Sequence, residues 1–170
     1  PHAVLSTLHG PLLPQVVSRI RKPVRQIDII TPINCDPTSV VRELRRTIGG
    51  KEYRLYTDKE PVPHIRGITK SHTLKRPERD DEGDGLRAIS LAHAKVYAFD
   101  SGKTVDVFWG SANLSYSAWL AKGNRANVEL LVHSRTSSKE WLSFRDKSLP
   151  RAHRWVVVDT RGKSPDFPEE

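Results

Sequence analysis

Residues 91–113, "LAHAKVYAFDSGKTVDVFWGSAN", decide how the chain is read. Two β-prone runs, 88–99 and 104–110, flank Ser101-Gly102-Lys103. A connection this short, with a glycine in it, joins antiparallel strands as a hairpin. Successive strand side chains point to opposite faces. Ala92, Ala94, Val96 and Ala98 therefore share one face, and His93, Lys95, Tyr97 and Phe99 the other. His93 and Lys95 become neighbours on one surface, roughly 7 Å apart at the usual strand rise. A lysine inside a strand is unusual, because an unpaired buried ammonium is costly. An edge position or an anionic ligand would account for it.

The second strand delivers Gly110-Ser111-Ala112-Asn113, just before a short helical pattern that starts between Leu114 and Ser117. Small residues there admit a ligand to the backbone. Ser111 and Asn113 can donate hydrogen bonds, and a helix start favours an anion. A third run, 127–133, places Asn127 and Glu129 on one face, and such a carboxylate could fix a histidine tautomer. Taken singly, each feature has an ordinary reading as a packed histidine, a turn or a salt-bridge partner. Their ordered combination does not.

Working outward, 12–22 has apolar residues at helical spacing, with Pro14 near its start, and 25–33 is a β-branched strand. A helix follows, with Asp36 as its cap, Pro37 in its first turn and Gly49-Gly50 as its stop. Residues 52–57 alternate as a strand, and 58–86 lose all pattern and read as a long loop. Residues 114–123 read as a helix closed by Gly123, 137–149 as a helix capped by Ser137 or Ser138, and 154–160 as a last strand. Strands and helices interleave, so the class is α/β, with a mixed sheet covered by helices. Residues 1–160 are expected to form one domain, with 161–170 as a polar tail or linker.

The composition suits a water-soluble globular domain: 170 residues, 36% hydrophobic and 28% charged. No apolar run approaches the roughly 20 residues of a membrane span. The first ten residues lack a signal-peptide pattern; the single cysteine, Cys35, rules out an internal disulfide and is neutral about compartment, so the cytoplasm is the default. The chain begins with Pro1 and contains no methionine, so a piece of a longer chain with further domains is expected. A net charge of +8 points to polyanionic partners, above all nucleic acid. No His/Cys/Asp cluster has metal-ligand spacing, so neither metal nor cofactor is expected.

His93-Ala94-Lys95 with Asp100 resembles the HxKxxxxD signature of the phospholipase D superfamily. Gly110-Ser111-Ala112-Asn113 is similar to that family's GSxN element, and Asn127-Val128-Glu129 to its N-x-E. The resemblance implies a phospholipase D-like mixed sheet with helices on both faces. It implies metal-independent phosphodiester cleavage, with His93 as the nucleophile that forms a phosphohistidine. Lys95, Ser111 and Asn113 would hold the phosphoryl oxygens, and Glu129 would orient His93. Asp100, Gly110 and Asn127 would support them, Asp100 in a structural or histidine-supporting role. The family chemistry uses two histidines and this chain carries one such motif, which implies either a homodimer that shares the site, the favoured reading, or a second motif on a missing part of a longer chain. A nuclease acting on DNA rather than RNA is the favoured reading, with restriction or defence among its settings. The alternatives are a phospholipase or phosphatidyl transferase, a phosphodiesterase that processes DNA ends, and a non-catalytic nucleic-acid-binding domain of a larger helicase or restriction-type assembly.

Overall fold

Apolar alternation is what builds the central hairpin. Tyr97, Phe99 and Phe108 point into one core, and Ala98, Val105 and Val107 into another. The computed structural model describes residues 2–57, 64–74 and 95–149. Within it β5 (Lys95–Asp100) pairs antiparallel with β6 (Thr104–Gly110), placing Lys95 opposite Gly110 and Asp100 opposite Val105. Gly102 takes a φ of +99° in the connection, where a side chain would be strained.

The hairpin is the middle of a seven-stranded mixed sheet ordered β1-β7-β6-β5-β2-β3-β4. β7 (Leu130–Ser137) runs antiparallel to β6, and β1 (Ala3–Ser6) antiparallel to β7. On the other side β2 (Gln26–Ile30) is antiparallel to β5. β3 (Glu52–Thr57) is parallel to β2, and β4 (Lys70–Thr73) parallel to β3. Parallel neighbours need a crossover, and α2 (Thr38–Ile48) supplies the one between β2 and β3.

One face of the sheet is covered by α1 (Leu12–Val17), α2 and α3 (Tyr116–Trp119). Val40, Val41, Leu44 and Ile48 form the apolar stripe of α2 and are all buried. Trp119 is fully buried against the same face, its ring edge-on to Tyr97 at 4.6 Å between centroids. Each such side chain contributes about 1.5–3 kcal/mol through burial. The other face is covered by α4 (Ser138–Ser148), which presents Trp141 to Ile30, Ala98 and Val107. Ser137 caps α4 in a reciprocal box with Glu140. The architecture is therefore the expected mixed sheet with helices on both faces.

Several local expectations are corrected. β1 and β4 are strands that show no sequence pattern; β4 lies inside the segment read as loop. α1 stops at Val17 rather than reaching Lys22, because the Arg21 amide donates to Asp106 Oδ2 at 2.8 Å and draws the chain out of the helix. Asp36 does not occupy the cap position of α2; Pro37 does, and Asp36 Oδ1 accepts from the Thr38 amide at 2.8 Å. α3 is a single turn, and Gly123, at φ +61°, opens a 3-10 turn (Gly123–Arg125). The third strand of the motif region starts at Leu130, so Asn127 and Glu129 precede it. The first part of the 88–99 strand, the 154–160 strand and the 161–170 tail lie outside the described residues.

Two buried acids tie the layers together. Asp106 accepts from Arg135 Nε at 2.7 Å and lies 2.9 Å from His133 Nε2, whose ring stacks on Phe108. Asp28 accepts from Trp141 Nε1 at 2.8 Å and from Gln26 Nε2 at 2.7 Å. Burial raises the Asp28 pKa, with those hydrogen bonds opposing it, so this carboxylate adds an energetic cost as pH rises above 3.8.

Near it, His72 stacks on Tyr56 at 4.7 Å. Burial, then the charges of Arg54, Lys70 and Arg145, lower its pKa from 6.5 to about 4. Below pH 6.5 the unfolded chain takes up this proton first. The stability of the neutral ring is thus present above pH 6.5 and lost as pH falls toward 4. His72→Phe keeps the stack and removes the titration. Urea unfolding at pH 7 and pH 5 should show a smaller stability difference in this variant than in the unsubstituted chain; an equal difference would contradict the assignment.

Candidate active site

The hairpin register brings the motif residues to one margin of the sheet. β5 and β7 begin there, and β1 and β6 end there. Lys95 opens β5 on the face of Tyr97 and Phe99, directly across from Gly110. It is half-buried and makes no ion pair among the described residues. His93, two positions earlier, lies outside the described residues.

Gly110 is required by a close backbone approach. A Cβ on it would lie 2.1 Å from the Leu130 carbonyl oxygen. With no side chain in the way, the Ser111 amide donates to that carbonyl at 3.0 Å. The Ser111 hydroxyl in turn accepts from the Leu130 amide at 3.0 Å and donates to Glu129 Oε2 at 2.5 Å. Glu129 is buried, and the Ser111 hydroxyl is its hydrogen-bond donor. In this arrangement Ser111 holds Glu129 in place.

The next residues follow the same margin. Tyr97, fully buried, donates its hydroxyl to the Ala112 carbonyl at 2.7 Å. Burial pushes its pKa well above the ordinary tyrosine value, so it stays a neutral donor that pins the 110–113 turn. Asn113 Oδ1 is buried and has no hydrogen-bond partner among the described residues. Asn127 is exposed; its amide donates to the Ser117 carbonyl at 3.2 Å, which ties it to α3.

Asp100 sits at the other end of β5, roughly 17 Å from Lys95 at the usual rise per residue. Its carboxylate accepts from the Gly102 amide at 2.7 Å and from Ser138 Oγ at 2.8 Å, closing the turn onto α4. The structure thus gathers Lys95, Gly110, Ser111, Asn113, Asn127 and Glu129, and sets Asp100 apart in a structural role. Sequence reasoning missed Thr7 and Tyr97. Thr7 bonds the chain on both sides of Val128, and nothing in "STLH" announces it.

A half-buried ammonium, an amide side chain and a held carboxylate at one margin can bind an oxyanion and orient a base. Among the described residues no three His, Cys, Asp or Glu side chains converge as metal ligands, and no helix is long and apolar enough to cross a membrane.

No protein-family profile matches the chain. No curated protein matches it either. Among solved structures it is similar to NucT from Helicobacter pylori, with a TM-score of 0.52 and 18% identity over 88% of this chain and 95% of that one. At that identity the likeness is one of fold. It also matches Nuc from Salmonella typhimurium, described as a phospholipase D family member, with a TM-score of 0.44 and 18% identity over 86% of this chain and 90% of that one.

Gly110→Ala should cost about 2 kcal/mol or more, because β7 must move away from the new methyl group. Ser111→Ala, which only removes the hydroxyl from its two partners, should cost about 1–3 kcal/mol. Urea unfolding of both variants tests this; a Gly110→Ala protein as stable as the unsubstituted chain would contradict the close approach.

Proposed function

We propose that the chain is a phosphodiesterase of the phospholipase D type, acting as a nuclease through His93. The observation that carries this is Lys95: a half-buried cation without an ion pair among the described residues, at the sheet margin where Ser111, Asn113 and Glu129 gather. A phosphate would complete it. The sequence order of His93, Lys95, Gly110-Ser111, Asn113 and Glu129, and the fold shared with NucT, support the same reading.

Phosphodiester cleavage needs a nucleophile, a proton for the leaving oxygen, and positive charge on the non-bridging oxygens. His93 attacks phosphorus, a P–N bond forms and the P–O bond to the leaving group breaks. The leaving oxygen takes a proton from a second histidine. Water then attacks the phosphohistidine, that histidine takes the water's proton, and His93 is released. Lys95 and Asn113 neutralise and hold the phosphoryl oxygens. Ser111 keeps Glu129 in place, and Glu129 orients His93. One chain supplies one such histidine, so the second is His93 of a second copy, in a twofold dimer.

Nucleic acid is the proposed substrate class, DNA before RNA. The net charge of +8 favours a polyanion, and Lys122 and Arg125 are exposed on the segment leading to Glu129. Purified protein should cleave DNA in excess EDTA. His93→Ala should lower the rate about a thousandfold or more, and Lys95→Ala about a hundredfold. Cleavage that requires added divalent metal, or full activity of the His93→Ala protein, would defeat the proposal. Light scattering should give twice the 19.2 kDa chain mass, and an active monomer would refute the shared site.

A further inference from the structure

Glu129 is supported from a part of the chain that no motif touches. The Thr7 hydroxyl accepts from the Glu129 amide at 2.8 Å and donates to the Asn127 carbonyl at 2.6 Å. The Thr7 amide donates to the Glu129 carbonyl at 3.1 Å. Three hydrogen bonds from one residue therefore grip the backbone on both sides of Val128, just before β7 begins. A hydroxyl can be donor and acceptor at once, which is what this position uses.

Thr7 is itself held. Ser6, its neighbour, ends β1 opposite Leu130. Gln15 of α1 reaches back to the turn: its Nε2 donates to the Ser6 and Gly10 carbonyls, both at 2.8 Å, and its Oε1 accepts from the Ser6 amide at 3.3 Å. The Ser6 hydroxyl accepts from the Leu8 amide at 3.2 Å. Thr7 thus projects from a braced 3-10 turn (Thr7–His9) rather than from a loose end. On the far side, the Glu129 side chain accepts from the Ser111 hydroxyl at 2.5 Å. The carboxylate is fixed at its tip by Ser111 and at its root by Thr7.

We infer that Thr7 is the positioning residue for Glu129, setting the backbone from which this carboxylate reaches the active-site margin. Its kinetic consequence rests on the phosphodiesterase reading; its structural half does not. Reacting groups misplaced by an ångström can lose about a hundredfold in rate. The hydrogen bonds of Thr7 go to the backbone of Asn127 and Glu129 rather than to Lys95, so its effect belongs on the chemical step rather than on binding.

The test compares the unsubstituted chain with Thr7→Val, which keeps the shape and loses the hydroxyl, and Thr7→Ser, which keeps the hydroxyl. Amide hydrogen exchange at Glu129 should speed up in Thr7→Val while α2 amides exchange as before, and Thr7→Ser should restore protection. In EDTA-resistant cleavage, kcat should fall about tenfold to a hundredfold in Thr7→Val, with KM nearly unchanged, and recover in Thr7→Ser. Unchanged exchange at Glu129, faster exchange throughout the chain, or loosened exchange with unchanged kcat would each overturn the assignment. No cleavage by the unsubstituted chain would defeat the phosphodiesterase reading alone, and the exchange rates would still decide whether Thr7 holds Glu129.

Discussion

The Leu130 carbonyl occupies the space that a side chain at position 110 would need. The Ser111 side of the candidate site follows from that approach. It lets the Ser111 amide and hydroxyl pair with Leu130, and the hydroxyl then reaches Glu129. It keeps β6 and β7 together past the last ladder pair, so the chain turns toward α3 carrying Asn113. Across the hairpin the same glycine faces Lys95, leaving the ammonium beside a residue with no bulk. The glycine of a short polar motif is thus a packing requirement, and the serine after it a backbone tie that also reaches Glu129.

The other buried polar groups do different work. Asp106 joins β6 to β7 and to the segment after α1. Asp28 anchors Trp141 and so seats α4 on the opposite face. Each is met by donors inside the protein, in keeping with the high cost of an uncompensated buried charge. Lys95 differs because no ion pair meets it among the described residues.

Much of this was legible in the sequence, for physical reasons. A period of two over Lys95–Gly110 fixes which side chains share a face, and a three-residue connection fixes the antiparallel pairing. The α2 stripe and the Ser137/Glu140 box are equally local. What was not legible depends on distant partners. β1 and β4 are four residues each and sit at the sheet edges, too short for a pattern to stand out. The end of α1 is set by an aspartate 85 positions away. The start of β7 is set by Thr7, 122 positions from Glu129. At the site, the residue types and their order were readable. The tether of Ser111 to Glu129, and the distance of Asp100 from that margin, needed coordinates.

That long separation also bears on how the molecule is assembled. The β5–β6 and β6–β7 pairings close over short stretches of chain and carry a small loop-closure cost. The β1–β7 pairing joins the two extremes of the described fold and carries the largest. During synthesis the residues around Thr7 emerge 122 positions ahead of Glu129 and must wait for all the intervening chain before meeting their partners. The support under Glu129 is therefore among the last of the described contacts to become available. A nascent chain can hold its central hairpin while this carboxylate still lacks its footing, so maturation of the site is coupled to completion of the fold.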